Sequence, residues 1–471
     1  MADSYDLIVI GAGTGGYVAA IRAAQLGLKT VVVERQTPLG GTCLNWGCIP
    51  TKALLEHAHV LKLAQHAAEW GISTGGAPPA IDMTRVHARK NKIVSGLTRG
   101  VDFLFKKHRI ERLIGTAQLA GGGQVRVTGE APRTLSGREI VVATGSRPRG
   151  LSIAAFDGSR IISSDEAIHL AEVPQSLVVI GSGAVGVEMA SIFNSFGSAV
   201  TLIEIMPRIV PAEDAAVSAE LEKAFRQRGI VVQTATEVTG AEPGGAGVDL
   251  ELTFGNGRRQ TMHVDVVLVA VGRAPVTDGL GVEQAGLRLE NGYIPVDSLL
   301  RTNVPGVSAI GDVISTGPTP HLQLAHVSSA EGILVAERLA GLEVRPLDYQ
   351  NVPVCTYCDP EIAHAGLTEA EAVARGFAVE TGTFPFSALG RARIAGETEG
   401  FVKIVGEKQY DQLLGVHVIG PRATELIAEA AVALRLEATV EELVRTMHAH
   451  PTLAEAIGEA SHAVHGGAIH L

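Results

Sequence analysis

Aromatic residues are scarce in this chain, at 4% of 471 residues, and cysteine is scarcer still, with four. Four cysteines in a chain this long exclude a disulfide-stapled scaffold. A reducing cytoplasm is the expected compartment, and a disulfide formed there is catalytic rather than structural. No run of 18 or more apolar residues occurs, which excludes a transmembrane helix. Basic residues are outnumbered, giving a formal net charge of −11, and no basic face or arm stands out. Nucleic acid and anionic membrane surfaces are thereby excluded as partners. The first ten residues already read as a strand, so no secretory leader is expected ahead of the fold.

Apolar residues and glycine are plentiful, at 46% and 55 residues. The combination fits an α/β protein with sizeable cores and many tight strand-to-helix turns, and the length suggests two to four domains. Asp6-Leu7-Ile8-Val9-Ile10 reads as a buried parallel strand. It enters a G-x-G-x-x-G turn at Gly11, Gly13 and Gly16, followed by an alanine-rich helix and a second strand ending at Glu34. Strand, glycines, helix, strand and acid together make a dinucleotide-binding unit. The glycines let backbone N–H groups approach a pyrophosphate at the helix N-terminus, and the acid accepts from ribose hydroxyls. The unit recurs at Gly181, Gly183 and Gly186, with Glu204 at the same spacing from the first glycine. Two such units imply two dinucleotide sites. A carboxylate at Glu204 repels the extra phosphate of NADP, so NAD is favoured.

Gly40-Gly41-Thr42-Cys43-Leu44-Asn45-Trp46-Gly47-Cys48-Ile49-Pro50-Thr51-Lys52 carries the two cysteines on which the chain is organised. With a helix starting near Thr42, Cys43 and Cys48 lie about one and a third turns apart. A slight local distortion brings their sulfurs within reach, as suits a dithiol/disulfide switch. Two buried structural cysteines are an equal reading of the pair alone. Residues 50–70 and 82–108 read as helices, and 125–127 and 140–142 as strands. Ala143-Thr144-Gly145-Ser146 is a small-residue turn that suits close ligand approach or is simply tight. Residues 248–254 and 264–271 read as a hairpin around Asn256-Gly257. A strand ending in an exposed Gly311-Asp312 either offers a carboxylate to a cofactor hydroxyl or is a plain Gly-Asp turn. Cys355 and Cys358 form C-x-x-C, but no second pair supplies two further zinc ligands, so they read as incidental. Near the end, His450 beside Pro451, with Glu455 beyond, reads either as an oriented general base or as a surface pair.

Taken together, these segments resemble the pyridine nucleotide–disulfide oxidoreductases over essentially the whole chain. The resemblance rests on the cysteine segment, both glycine units, residues 143–146 and 309–312, Asp359-Pro360-Glu361-Ile362-Ala363, and His448-Ala449-His450-Pro451-Thr452 with Glu455. It implies two Rossmann-like domains, for FAD at 1–147 and NAD at 148–272, a central domain at 273–345 and an α+β dimerisation domain at 346–471. It assigns Cys43 as the thiol that meets substrate and Cys48 as the thiol against the flavin. His450, from the partner subunit, is implied as acid/base, with Glu455 holding its imidazole. Cofactor contacts are implied at Gly11, Gly13, Gly16, Glu34, Gly41, Thr42, Lys52, Gly115, Thr144, Gly145, Ser146, Asp312 and Ala325. For the second nucleotide they are implied at Gly181, Gly183, Gly186, Glu188, Glu204, Val238 and Gly272, with Lys52 and Glu188 as a pair. No metal is implied.

Within the family, glutathione-type reductases place basic residues after the second nucleotide strand, where this chain has Glu204. Mercuric reductases carry a late cysteine pair, and none follows Cys358; soluble transhydrogenases lack the redox pair present here. The tail Gly466-Gly467-Ala468-Ile469-His470 resembles that of the lipoamide-oxidising branch, and this resemblance implies oxidation of protein-bound dihydrolipoamide with NAD+, as the third component of 2-oxo acid dehydrogenase or glycine cleavage complexes. The partners implied are a second copy of the chain and a lipoyl-bearing acyltransferase or H protein. Trp46 departs from the smaller residues common at its position.

Overall fold

The computed structural model describes residues 3–129, 132–317 and 321–471. Its contacts divide into two compact units, each built from three stretches of chain. One comprises Met1–Leu54, Thr84–Arg149 and Gly272–Leu347; the other comprises Leu55–Met83, Gly150–Val271 and Asp348–Leu471.

In the first unit, strand β1 (Asp3–Ile10) is followed by helix α1 (Thr14–Gln25) and strand β2 (Thr30–Glu34). Leu7 to Ile10 and Val31 to Val33 are buried on both faces of the sheet, which is why both strands read as unbroken apolar runs. The chain then makes a short helix α2 (Gly41–Asn45) and a long one α3 (Cys48–Gln65). Strands β3 (Glu111–Gly121) and β4 (Arg133–Val142) complete the sheet. β1 pairs in parallel with β2 and β4, and β2 pairs in parallel with β3. The antiparallel strand Gln124–Gly129 joins the outer parts of β3 and β4. Val307–Ala309 adds in parallel beside β4, and helix Ala325–Leu339 packs on α1 through Gly332, where an added Cβ would sit 2.5 Å from Gly15 O.

The second unit repeats the βαβ pattern with β5 (Ser176–Ile180), α4 (Ala184–Phe196) and β6 (Ala199–Ile203). They form a parallel sheet with Ile161–Ile162, Val231–Gln233 and Val266–Val269. Helix α5 (Ala215–Gln227) follows, capped by Asp214. The expected single return strand over 264–271 is two strands. Arg259–Val264 closes an antiparallel three-stranded sheet, and Val266–Val269 crosses into the parallel one. The reason is burial on different faces: Val264 covers the hairpin, while Val266 to Val269 are buried throughout, as a parallel strand requires. The last part of this unit is a five-stranded antiparallel sheet containing β7 (Glu361–Gly366), β8 (Phe401–Glu407) and β9 (Leu413–Gly420). Helices Ala423–Arg435 and α6 (Glu455–Val464) cover it. Among the described residues, no helix is long and apolar enough to cross a membrane.

Candidate active site

The glycine turn and the cysteine segment are built against each other. Gly11 takes φ +101°, and a Cβ there would sit 2.4 Å from Ala143 O; one at Gly16 would sit 2.0 Å from Gly11 O. Only glycine lets strand, turn and helix close this tightly. Gly40 N–H donates to Ala12 O at 2.8 Å, and a Cβ on Gly41 would meet Gly13 Cα at 2.6 Å. The start of the cysteine segment therefore rests directly on the dinucleotide turn.

From Gly41 the local distortion expected between the two cysteines is a full break in the helix. The backbone turns through α2, breaks at Trp46 and Gly47, and restarts at Cys48. Gly47 N–H reaches back to Thr42 O at 2.6 Å, tightening the break. This kink brings the two thiols into hydrogen-bonding contact. Cys43, Cys48, Cys355 and Cys358 are all reduced, none of them joined in a disulfide. The hydrogen bond to Cys48, and then burial, push the Cys43 thiol far above the ordinary thiol range. The Lys52 ammonium opposes the rise and the Asp312 carboxylate adds to it. Tyr17, which sequence reasoning passed over, is also raised, by burial and by Cys43 beside it.

The two expected ribose acids are held alike. Glu34 accepts from Ala12 N at 2.7 Å and Gln36 N at 2.9 Å; Glu204 accepts from Ser182 N and Oγ at 2.8 and 2.7 Å and from Met206 N at 2.9 Å. Each carboxylate is thus fixed by the backbone of its own turn. Neither α1 nor α4 has a side-chain cap. Gly183 has nothing near its Cβ position, and Gly13 has only Gly41 Cα, at 3.9 Å. Two uncapped helix N-termini facing open space fit two anionic pyrophosphates.

Thr144 Oγ1 donates to Val276 O at 2.6 Å, Gly145 takes φ +69°, and Ser146 Oγ donates to Asp312. Arg273 Nε donates to Ser146 Oγ at 2.6 Å and lies 3.9 Å from Asp312. Arg273 was legible only as the residue after Gly272 that closes a strand. The expected exposed Gly-Asp is corrected: Gly311 is buried, its N–H donating to the buried Glu331 at 2.6 Å. The strand end is covered because helix Ala325–Leu339, which Ala325 begins, lies over it. Gly115 lies in β3 against Thr128 O, and Val238 is buried at a bulge of the three-stranded sheet.

In the second unit, Glu188 is buried on α4 and accepts from Tyr357 N at 2.8 Å. Ser191 accepts from Asp359 N at 3.1 Å, so the 357–363 segment is moored to α4. Cys355 donates toward Thr424 O at 3.9 Å and Cys358 to Pro360 O at 3.2 Å, different backbones for the two thiols of the C-x-x-C. His450 Nδ1 is 2.8 Å from Glu455 Oε1, and Thr452 N–H donates to Glu455 Oε2 at 2.8 Å. Burial alone would raise the Glu455 carboxyl, but these hydrogen bonds hold it below the usual range. The imidazole itself stands 78% exposed, with Nε2 pointed away from its carboxylate partner.

The description "Pyridine nucleotide-disulphide oxidoreductase" matches residues 5–332, and the dimerisation domain of the same family matches residues 352–461. The chain belongs to the pyridine nucleotide-disulphide oxidoreductase family. It is 46% identical to the dihydrolipoyl dehydrogenase of Thermus scotoductus, over 99% of both chains. It is 44% identical to that of Bacillus subtilis, over the full length of both. Its fold is similar to the crystal structure of LpdA from Mycobacterium tuberculosis, with a TM-score of 0.88, 28% identity, and coverage of 98% of this chain and 99% of that one. On the first dinucleotide turn the chain carries the Cys43–Cys48 thiol pair, and near its C-terminus the His450–Glu455 imidazole–carboxylate pair.

Proposed function

We propose that the protein is an NAD-dependent dihydrolipoyl dehydrogenase: a homodimeric flavoprotein that oxidises protein-bound dihydrolipoamide to lipoamide. The observation that carries this reading is the thiol–thiol contact of Cys43 and Cys48, seated on a glycine turn whose open helix N-terminus suits the FAD pyrophosphate. Gly11, Gly13, Gly16, Glu34, Gly41, Thr42, Lys52, Gly115, Thr144 to Ser146, Asp312 and Ala325 would hold FAD; Gly181, Gly183, Gly186, Glu188, Glu204, Val238 and Gly272 would hold NAD. The fourfold division at residues 147, 272 and 345 belongs to this reading.

The chain's own residues divide the work. With the cysteines as a disulfide, His450 of the partner subunit takes the proton from one substrate thiol. The thiolate attacks Cys43, the Cys43–Cys48 bond breaks, and Cys48 leaves as thiolate. The second substrate thiol then displaces Cys43 and releases the cyclic disulfide; Cys43 leaves as a thiol, taking the proton from His450 Nε2 while the attacking thiol's proton replaces it there, and Glu455 holds Nδ1. When bound, FAD supplies a path for the electron pair from the reduced cysteines to NAD+. The lipoyl group is carried by an acyltransferase or by the glycine cleavage H protein, in the cytoplasm.

The purified protein is expected to be yellow and to reduce NAD+ in the presence of free dihydrolipoamide. Cys48→Ser is expected to abolish that turnover and keep its flavin. Loss of flavin or of the fold in this variant would give the pair a structural role instead, and a folded wild type that takes up no FAD would overturn the reading.

A further inference from the structure

A second cluster of reactive side chains lies in the second unit, apart from every residue used above. The antiparallel register of β7 and β9 sets His364 opposite His417, with the rings stacked at 5.7 Å and 27°. Opposed residues project from the same face of a sheet. Glu213, just before the cap of α5, meets them there, with Oε2 2.7 Å from His364 Nδ1. Ligand-capable atoms of Glu213, His364 and His417 all lie within 4.8 Å of one another.

The histidine at the bottom of this cluster carries a lone pair with nowhere to go. His417 is fully buried, and its Nε2–H donates to Leu367 O at 2.9 Å. That bond fixes the neutral tautomer and leaves Nδ1 as an acceptor, and Nδ1 is buried with no hydrogen-bond partner. Such an orphan destabilises the fold unless something fills it. The surroundings select a cation. Glu213 and Asp214 act on His417, and Glu213 and Glu371 on His364. The nearby Lys403 ammonium is already taken by Asp214 at 2.9 Å and Glu369 at 2.6 Å.

We propose that Glu213, His364 and His417 form a binding site for a divalent transition-metal cation of the zinc type. Two imidazole nitrogens and one carboxylate oxygen are the donors zinc takes, at about 2.0–2.2 Å, leaving a fourth position for water. Ligands at those lengths stand about 3.4 Å apart in a tetrahedron, so closing from 4.8 Å needs only side-chain adjustment. The metal displaces the proton shared by His364 and Glu213. It also ties the segment that follows Glu204 to the sheet of β7 and β9, which raises the melting temperature.

The test uses the FAD-loaded protein, stripped with chelator, without reductant, and dialysed to equilibrium against micromolar Zn2+. Bound zinc is counted by mass spectrometry, and unfolding is followed with and without the metal. Wild type is expected to hold one zinc more per chain than His417→Gln and His364→Asn, and to melt at higher temperature with zinc only when all three ligands are present. Thiols and surface histidines bind equally in all three proteins, so they cancel in the comparison. Retained flavin in each variant certifies its fold, and either variant alone suffices if the other fails to fold. Equal zinc in all three, or none specific to wild type, overturns the proposal. Lipoamide turnover is read separately, so failure here is distinct from failure of the dehydrogenase assignment.

Discussion

The hydrogen bond between Cys43 and Cys48, with burial behind it, pushes the Cys43 thiol above the ordinary thiol range. Joined as a disulfide, the two cysteines offer no base to an incoming thiol, so the proposed proton chemistry needs a separate, accessible acceptor. In the proposed mechanism that acceptor is His450, whose Nδ1 is committed to Glu455 and whose ring is exposed. His450→Gln is expected to lower kcat for dihydrolipoamide oxidation on the order of 10²–10⁴-fold, the usual contribution of a positioned acid/base. Glu455→Gln keeps the imidazole and is expected to cost less. Steady-state rates with the flavin absorbance unchanged check both; a His450→Gln variant with wild-type kcat would place the base elsewhere. At Glu204 the carboxylate is fixed by Ser182 and Met206, so it cannot swing aside for an added phosphate. Glu204→Gln is expected to narrow the preference for NAD+ over NADP+ by about ten-fold in kcat/KM, or about 1.4 kcal/mol. An unchanged ratio would assign the preference to another residue.

At the scale of elements, the two βαβ units show one construction used twice, with the acid's carboxylate closing on the turn it follows. The join between α5 and β8 is a different kind of contact. Lys403, on β8, is 8% exposed and reaches Asp214, the N-cap of α5, at 2.9 Å. Burial would raise the Asp214 carboxyl, but Lys403 and the Ala216 N–H hold it below the usual range. Burial would lower the Lys403 ammonium, but Glu369 and Asp214 raise it. A depressed carboxyl contributes stability above its unfolded-state pKa that is lost as pH falls through the folded one; a raised ammonium contributes below its unfolded-state pKa and loses it as pH rises through the folded one. The pair therefore stabilises across the neutral range. Lys403→Met leaves Asp214 charged and buried, and is expected to cost about 3–5 kcal/mol at neutral pH. That difference is expected to shrink as pH falls below the ordinary carboxylate range, where Asp214 takes up a proton. Denaturant unfolding of both proteins across pH measures it, and a constant difference would deny the ion pair its role.

For the whole molecule, the decisive expectation is that each site draws on two chains. The dimerisation-domain match over residues 352–461 covers His450 and Glu455, while Cys43 and Cys48 lie in the other matched region. Cys43→Ser and His450→Gln are each expected to be inactive as homodimers. In a mixed dimer one site carries both intact partners and the other carries both defects. Refolding equal amounts together gives about half mixed dimers, so roughly a quarter of wild-type dihydrolipoamide oxidation is expected to return, given closed two-fold symmetry. Mixed dimers that form without activity would mean that His450 acts within its own chain or not at all.

The sequence by itself determined the α/β class, both dinucleotide units and the membership of the cysteine segment in a redox family. Strand, glycine turn, helix and terminal acid are local, and their spacing records the geometry they must adopt. It also singled out Cys43 with Cys48 and His450 with Glu455, two pairs close in sequence that the fold holds in contact. The tertiary structure alone decided what depends on contacts between distant stretches. It broke the expected cysteine helix at Trp46-Gly47, buried Gly311 under a helix, and split the 264–271 strand between two sheets. It also brought Arg273 to Ser146, Tyr17 to Cys43, and Glu213 to His364 and His417. No periodicity marks such residues, because a side chain's partner across a sheet or a turn is fixed by register and packing, which the local pattern does not encode.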